Sequence, residues 1–204
     1  MRQQRPCRLE MQTTIREAKQ ALRDRVSALL KRMGPGERAA ASTRARALLA
    51  AQAPWKRAQW VLFFAPLPEE LDVWPLLTEA LSAGKRVALP RFVAETRTYE
   101  ACPILDPQVD LQVGHFGIRE PAGRCARLPS NRLDLILVPG IAFDLHGRRL
   151  GRGKGYYDQL LRALRGTTCG VAFDQQIVDE IPIAPHDVPL DCILTPTRWV
   201  NLRS

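Results

Sequence analysis

Short apolar runs of strand type alternate with helical segments along most of the chain, and this alternation constrains the fold more than any other feature. The runs cover residues 60–64, 86–90, 133–138, 168–173 and 192–195, with 198–200 as a further edge strand. Buried parallel strands read as continuous apolar runs joined by helical crossovers. The pattern therefore predicts an α/β fold in which a mostly parallel sheet carries helices on both faces. Such sheets bind ligands beyond the carboxyl ends of their strands, here the loops after Phe64, Pro90, Val138 and Phe173.

Helical periodicity predicts the remaining elements. Apolar residues recur at helical spacing over 15–33 after Thr13 or Thr14 as the N-cap, and a second helix is predicted over 37–51. Together they form an N-terminal helical hairpin. Further helices are predicted over 72–83 and 156–165, and an extra β-hairpin within 91–132 has 98–104 as one arm. We expect residues 1–12 to be a disordered extension and residues 13–204 to form a single domain.

Composition narrows the class of partner. The formal charge of +9 favours an anionic ligand, but the basic residues are spread through the chain without an aromatic-interleaved stripe, so nucleic acid is not the expected partner. No apolar run approaches the roughly 18 residues of a membrane span. The five cysteines are odd in number and contain no C-x-x-C pair, which argues against a disulfide framework or a zinc site. We expect a cytoplasmic monomer that acts on a small molecule.

The segment most informative about function lies between a predicted strand and a predicted helix. Four glycines, four basic residues and two tyrosines fall between Gly147 and Tyr157. Glycines let the backbone approach a ligand and expose N–H groups, and the helix beginning near Tyr156 directs its positive dipole end to the same place. Arg152 and Lys154 add charge. The segment is typical of polyphosphate binding, although a flexible basic loop has the same composition.

Two other patterns in this segment have simpler interpretations. A Walker A loop has four residues between its glycines and then Lys-Ser/Thr, whereas Gly147 and Gly153 are separated by five residues and Lys154 precedes another glycine. A P-loop fold is therefore not predicted. Asp144 and Gly147 occupy the first and fourth positions of a four-residue stretch, as in a type I turn, so Asp144 is assigned to that turn and His146 to its exposed tip.

The run from Phe143 to Asp158, Phe-Asp-x-x-Gly-Arg-Arg-Leu-Gly-Arg-Gly-Lys-Gly-Tyr-Tyr-Asp, resembles the signature of the 5-formyltetrahydrofolate cyclo-ligase family. The resemblance extends from about residue 13 to 195 through a Lys-x-x-x-Arg pair, an acidic motif at 70–72, an aromatic loop at 116–121 and an acidic motif at 186–191. It implies a Rossmann-like fold related to ribose-phosphate isomerase and CoA-transferase domains. It also implies an ATP- and Mg²⁺-dependent ligase of folate and one-carbon metabolism.

The implied reaction closes 5-formyltetrahydrofolate, which can be polyglutamylated, to 5,10-methenyltetrahydrofolate. ATP phosphorylates the formyl oxygen, N10 attacks the activated carbon, and ADP and phosphate are released. In the family this chemistry is positioning plus charge stabilisation, which general principles also expect of phosphoryl transfer.

The resemblance also implies roles for individual residues. The ATP-binding set is Lys19, Arg23, Arg149, Leu150, Gly151, Arg152, Gly153, Lys154, Gly155, Tyr156 and Tyr157, with Arg152 and Lys154 as catalytic cations. The folate-binding set is Glu70, Phe116 and Tyr156, with Glu69 as the alternative to Glu70. The Mg²⁺ ligands are Asp158 and Asp187. Taken without the resemblance, Lys19 and Arg23 are a solvated helix face and both aspartates are ordinary helix-start or turn residues.

Three alternatives remain open from the sequence. An enzyme of the same fold, such as a sugar-phosphate isomerase or a CoA transferase, would not need ATP. A non-catalytic nucleotide- or RNA-binding protein would bind salt-sensitively without ATP turnover. A relative with an intact glycine-rich motif can act on another ligand.

Overall fold

A computed structural model of the chain describes residues 8–115, 117–184 and 187–203, with side chains from Thr13 onward. The prediction for Phe116 and most of the predicted N-terminal extension lie outside the described residues. The helices are α1 (Arg8–Arg32), α2 (Pro35–Ala51), α3 (Ala53–Arg57), α4 (Trp74–Ser82) and α5 (Tyr156–Ala163), with a 3₁₀ turn at Asp174–Gln176. None of the helices in this described part is long and apolar enough to cross a membrane.

The strands build one large sheet and two small ones. They are β1 (Trp60–Leu62), β2 (Arg86–Val93), β3 (Thr98–Ile104), β4 (Leu111–Val113), β5 (Arg119–Pro121), β6 (Leu135–Val138), β7 (Ala142–Asp144), β8 (Arg149–Leu150), β9 (Thr167–Val171), β10 (Ile177–Val178), β11 (Cys192–Leu194) and β12 (Trp199–Asn201). The large sheet has seven strands in the order β12-β11-β9-β6-β1-β2-β3. Its five central strands are parallel, and β12 and β3 pair antiparallel at the edges.

Both faces of the large sheet are buried, as the apolar runs predicted. Within β6, Leu135 and Leu137 belong to a core formed with α1, α2 and α4, whereas Ile136 and Val138 belong to a second core formed with α5. All four side chains are almost completely inaccessible to solvent. Since successive side chains of a strand point to opposite faces, a strand covered by helices on both sides must be apolar throughout. The prediction of a mostly parallel sheet with helices on both faces is confirmed.

Several element boundaries differ from the predictions. Helix α1 begins at Arg8, so Thr13 and Thr14 lie within it and residues 8–12 are helical rather than part of a disordered extension. Helix α2 begins at Pro35, because proline at the first helical position lacks only an N–H that has no helical partner there. The predicted arm at 98–104 is β3, which folds back on β2 as an antiparallel hairpin. The sheet of β10, β7 and β8 was not predicted.

The turn between β7 and β8 depends on a fully buried aspartate. Asp144 accepts hydrogen bonds from the backbone N–H groups of His146 and Arg148 at 3.0 Å and of Ile181 at 2.9 Å. Gly147 N–H also donates to the Asp144 carbonyl at 3.1 Å, which closes the predicted turn. His146 is exposed. The assignment of Asp144 to a structural turn is confirmed, and this turn feeds the chain into the glycine-rich segment.

We expect Asp144→Ala to lower the free energy of unfolding by about 3 kcal/mol, since it leaves buried backbone donors unsatisfied and removes a buried ion-pair partner. Chemical denaturation measures this. Glu79→Ala, at an exposed site of helix α4, is the matched control and should change stability by no more than about 0.5 kcal/mol. A loss below about 1 kcal/mol for Asp144→Ala would contradict the structural role.

Candidate active site

One cavity of about 470 Å³ lies at the carboxyl edge of the large sheet. Phe64 and Ala65 beyond β1, Pro90 in β2, and Pro139 and Gly140 beyond β6 form its base. Every predicted site residue that the structure describes lines this cavity: Lys19, Arg23, Glu70, Arg149, Leu150, Gly151, Arg152, Gly153, Lys154, Gly155, Tyr156, Tyr157, Asp158 and Asp187. Residues separated by more than 160 positions in sequence are thus brought to one place, as the lysine–aspartate contact of Lys19 and Asp187 shows.

Two of the four predicted ligand-binding loops do not contribute as expected. Strand β2 continues past Pro90 to Val93, so the chain there is part of a hairpin rather than a loop. The segment after Phe173 does not line the cavity. It forms the 3₁₀ turn, against which α1 packs, and its Asp174 is bonded to Thr195 at 2.6 Å. Helix α1 therefore packs over the part of the carboxyl edge at which the sequence predicted a ligand-binding loop.

The glycine-rich segment passes directly from β8 into α5. A Cβ atom at Gly151 would lie 2.6 Å from Arg149 Nη1, so a side chain there would push the Arg149 guanidinium away from its present position. Gly155 is the N-cap of α5 and has φ 70°, a left-handed conformation that side chains rarely adopt. The first turn of α5 presents backbone N–H groups and the positive end of the helix dipole. This geometry suits an anion.

Arg149 is the most deeply buried cation of the cavity, with a side chain only 3% exposed. Its Nη2 donates to Asp158 Oδ1 at 2.8 Å, and its guanidinium lies 5.8 Å from the centre of the Tyr157 ring. Its Nε is buried and has no hydrogen-bond partner. A buried donor without an acceptor costs free energy unless a ligand or water satisfies it. Since Arg149 lines the cavity, its buried guanidinium brings positive charge there.

Helix α1 contributes two further cations, four residues apart on one face. Lys19 Nζ lies 2.6 Å from Asp187 Oδ2, and both side chains are largely buried. Arg23 Nε donates to the Gly151 carbonyl at 2.9 Å, and burial lowers the pKa of Arg23. Because Arg23 holds the glycine-rich segment itself, α1 and that segment form one wall of the cavity. The interpretation of this pair as a merely solvated helix face is wrong.

The loop after β1 brings two carboxylates to the opposite wall. Glu70 lines the cavity with a side chain 12% exposed, and its Oε2 accepts from the Leu67 N–H at 3.0 Å. Burial raises the pKa of Glu70 above its ordinary value. Arg152 Nη2 reaches across to both acids, lying 2.9 Å from Glu69 Oε1 and 3.4 Å from Glu70 Oε1. Of the two glutamates, Glu70 faces the cavity and Glu69 does not.

An aromatic cluster lies beside Glu70 and was only partly predicted. The ring of Tyr156 lies 5.9 Å from that of Tyr99 and 5.2 Å from that of Phe92, and Phe92 stacks on His115 at 5.1 Å. Tyr99 lines the cavity and also contacts Tyr157 at 5.6 Å. Sequence reasoning missed Tyr99 and Phe92, because only the β2–β3 hairpin brings them to α5.

The two predicted metal ligands line the same cavity, and each is paired with a cation, Asp158 with Arg149 and Asp187 with Lys19. Among the residues with described positions, no group of three or more His, Cys, Asp or Glu side chains could hold a metal ion by itself. Mg²⁺ usually takes one or two carboxylates and completes its shell with phosphate oxygens and water. Two aspartates beside a phosphate-type site therefore fit Mg²⁺ bound together with a polyphosphate.

These features define an α/β protein with a basic, glycine-lined cleft at the carboxyl edge of its sheet and an aromatic pocket with a buried carboxylate next to it. Residues 15–196 match the model of the 5-formyltetrahydrofolate cyclo-ligase family, and the chain belongs to this family.

Relatives in distant bacteria agree with this assignment. The 5-formyltetrahydrofolate cyclo-ligase of Escherichia coli K12 is 35% identical over 153 residues, which cover 71% of this chain and 82% of the relative. That of Mycolicibacterium smegmatis is 37% identical over 69% of this chain and 75% of its own length. The NMR structure of Aquifex aeolicus 5,10-methenyltetrahydrofolate synthetase superposes with a TM-score of 0.82 at 34% identity, covering 91% of this chain and 93% of the other.

Proposed function

We propose that the protein is an ATP- and Mg²⁺-dependent enzyme that closes 5-formyltetrahydrofolate to 5,10-methenyltetrahydrofolate, with release of ADP and phosphate. The observation that carries the proposal is the single cavity in which a glycine-rich, basic wall faces a wall with a buried carboxylate and tyrosines. The first wall suits a triphosphate, and the second suits a flat ring with N–H donors. A phosphoryl group can pass between two ligands only if one site holds both.

The basic wall binds the nucleotide. Gly151, Gly153 and Gly155 leave the backbone accessible to phosphate oxygens, and the start of α5 adds its dipole. The buried guanidinium of Arg149, which lines the cavity, adds positive charge. Lys19 and Arg23 contribute charge from α1. Arg152 and Lys154 add to these cations, and together they favour an anionic ligand at this wall.

The opposite wall binds the folate. A pterin edge offers N–H donors. One carboxylate oxygen of ionised Glu70 accepts hydrogen bonds from them, while the other still accepts from the Leu67 N–H. Tyr156 and Tyr99 provide apolar surface for the ring system. Phe116 remains a predicted contact. A substrate with a polyglutamate tail would extend out of the cavity, since its anionic tail has no place in the aromatic pocket.

The chemistry requires charge stabilisation as the γ-phosphoryl group moves to the formyl oxygen. Arg152 and Lys154, two exposed cations of the glycine-rich segment, line the cavity and would stabilise that charge. N10 then attacks the activated carbon, its proton is lost, and phosphate leaves with the formyl oxygen. Asp158 and Asp187 would hold Mg²⁺, which would supply positive charge to offset that of the transferring phosphoryl group. Movement of Arg149 and Lys19 from these aspartates to phosphate would free carboxylate oxygens for the metal.

The test is an absorbance assay at the methenyltetrahydrofolate band with purified protein, 5-formyltetrahydrofolate and MgATP, together with ADP release. A rise that requires all three components, with one ADP formed per methenyl group, supports the proposal. Folded protein that binds ATP and gives a flat trace would refute it and favour a related enzyme with another ligand. RNA binding with a steep salt dependence and no ATP turnover would instead favour the non-catalytic alternative.

We expect Asp187→Asn to weaken the dependence of nucleotide binding on Mg²⁺. In the wild type, Mg²⁺ should strengthen ADP binding, because the metal joins the aspartates to the phosphates. In the variant, which lacks the carboxylate charge, the factor by which Mg²⁺ raises ADP affinity should be about tenfold smaller. Calorimetric titration of ADP with Mg²⁺ or with EDTA measures this factor without catalysis. If Mg²⁺ raises ADP affinity by the same factor in the variant and the wild type, Asp187 is not a metal ligand.

A further inference from the structure

Arg152 joins the two walls of the cavity through a single nitrogen. Its Nη2 contacts Glu69 Oε1 at 2.9 Å and Glu70 Oε1 at 3.4 Å. A guanidinium has five N–H donors in a rigid fork. Within the described ranges of the chain, Nε and Nη1 of Arg152 have no hydrogen-bond partner. One edge of the guanidinium is therefore held by acids from the loop after β1, while the remaining donors are available to a ligand.

The two acids have different surroundings. Glu70 lines the cavity and is fixed by Leu67, so it is available to the folate. Glu69 lies outside the cavity lining, is 41% exposed, and makes the shorter contact with Arg152. Partial burial works against ionisation of Glu69, but the hydrogen bond and charge of Arg152 lower its pKa overall. Glu69 thus remains an anion whose described side-chain partner is Arg152.

We propose that Glu69 is a positioning residue for phosphoryl transfer, which orients the Arg152 guanidinium so that its remaining donors meet the transferring phosphoryl group. The inference rests on the proposed function and assigns a role to a residue that does not touch either substrate. An arginine whose side chain is half exposed otherwise samples many rotamers, and each one that misses the phosphoryl group reduces the rate. When the Glu70 carboxylate binds the folate, Glu69 is the remaining acid that holds Arg152 in position.

Steady-state kinetics of Glu69→Ala and Glu69→Gln test the role. We expect Glu69→Ala to lower kcat about 10- to 100-fold with each KM within about 3-fold, because orientation is lost and substrate contacts are kept. Glu69→Gln should recover part of kcat, since its amide oxygen still accepts from Nη2. Glu79→Ala is the matched control at an exposed acid. A rise in KM for the folate with unchanged kcat would identify Glu69 as a substrate contact and overturn the proposal.

A double-mutant cycle shows whether Glu69 acts through Arg152. In an Arg152→Ala background, adding Glu69→Ala should lower kcat by less than about 3-fold, because the group that it positions is already absent. If the second substitution multiplies the loss by the same factor as in the wild type, the two residues act independently and the proposal fails.

Two measurements do not depend on turnover. In ligand-free protein, the Arg152 Nε–Hε NMR signal should show greater side-chain motion in Glu69→Ala than in Glu79→Ala. Binding of a non-hydrolysable ATP analogue, measured by calorimetry, should change less than about 3-fold in Glu69→Ala. Tighter analogue binding would mean that Glu69 competes with phosphate for Arg152, which would overturn positioning. An inactive wild type would refute the proposed function and this role together, whereas an active wild type with unaffected Glu69 variants would refute this role alone.

Discussion

Arg152→Ala is expected to lower kcat for methenyltetrahydrofolate formation by about 10²- to 10³-fold, the loss typical of removing one preorganised donor to developing charge. Arg152 stands on the glycine-rich segment at the cavity wall, and its guanidinium retains unpaired donors. Phosphoryl transfer gains most of its rate from such positioned charge, so the effect should fall on kcat more than on KM for ATP. Initial rates at saturating MgATP and 5-formyltetrahydrofolate measure it.

Two variants separate this effect from loss of charge or of folding. Arg132→Ala removes an exposed arginine outside the cavity and should retain full activity. Arg152→Lys keeps the charge but lacks the fork, and should recover only part of kcat. Because Arg152 is half exposed and its closer ion pair is with the exposed Glu69, Arg152→Ala should lower the free energy of unfolding by no more than about 1 kcal/mol. Activity within about 3-fold of the wild type would exclude Arg152 from the catalytic step.

The fold was predictable because its main signals are local. Each central strand is buried on both faces and must be apolar throughout, so β1, β6 and β9 are visible as runs in the sequence. Helix ends are less certain, since α1 begins at Arg8 without a distinct capping signal in the sequence. The three-residue β7 and the two-residue β8 and β10 are too short to show a period, and only tertiary pairing defines them.

The site was predictable as a set of residues but not as an arrangement. The run from Gly147 to Asp158 identified one wall, and the resemblance supplied Lys19, Glu70 and Asp187. Neither indicated that Asp158 and Asp187 are each paired with a cation, or that Arg152 reaches Glu69, because contacts such as that of Arg152 with Glu69 join residues 83 positions apart. Tyr99 was missed for the same reason. An edge-strand tyrosine has no local signal of function until the hairpin places it beside α5.

Glu70→Gln is expected to lower kcat/KM for the folate about 100-fold while leaving ATP binding unchanged. Hydrogen bonds to a charged acceptor contribute about 1.5–3 kcal/mol each, and a neutral amide has one oxygen to serve both the Leu67 N–H and the pterin donors. Glu70 makes only a 3.4 Å contact with the half-exposed Arg152, a weak pair whose loss should leave calorimetric ATP affinity within about 3-fold. A folate KM equal to that of the wild type would show that Glu70 does not bind the pterin.

The same substitution should not lower the stability of the fold, and it should change how folate turnover depends on pH. Burial raises the pKa of Glu70 in the fold despite Arg152, with Glu69 adding a like charge and Tyr157 close by. A raised folded pKa means that the protonated carboxyl favours folding and that this contribution is lost as the pH rises through the folded pKa. Above that folded pKa the wild type therefore carries an unfavourable buried charge, and Glu70→Gln should be at least as stable in urea unfolding there.

Folate binding needs the ionised form of Glu70, so wild-type kcat/KM should fall as the pH drops through that raised pKa, whereas the Gln variant should lack this acidic limb. A variant that is less stable above the folded pKa and keeps the acidic limb would show that Glu70 serves the fold rather than the folate.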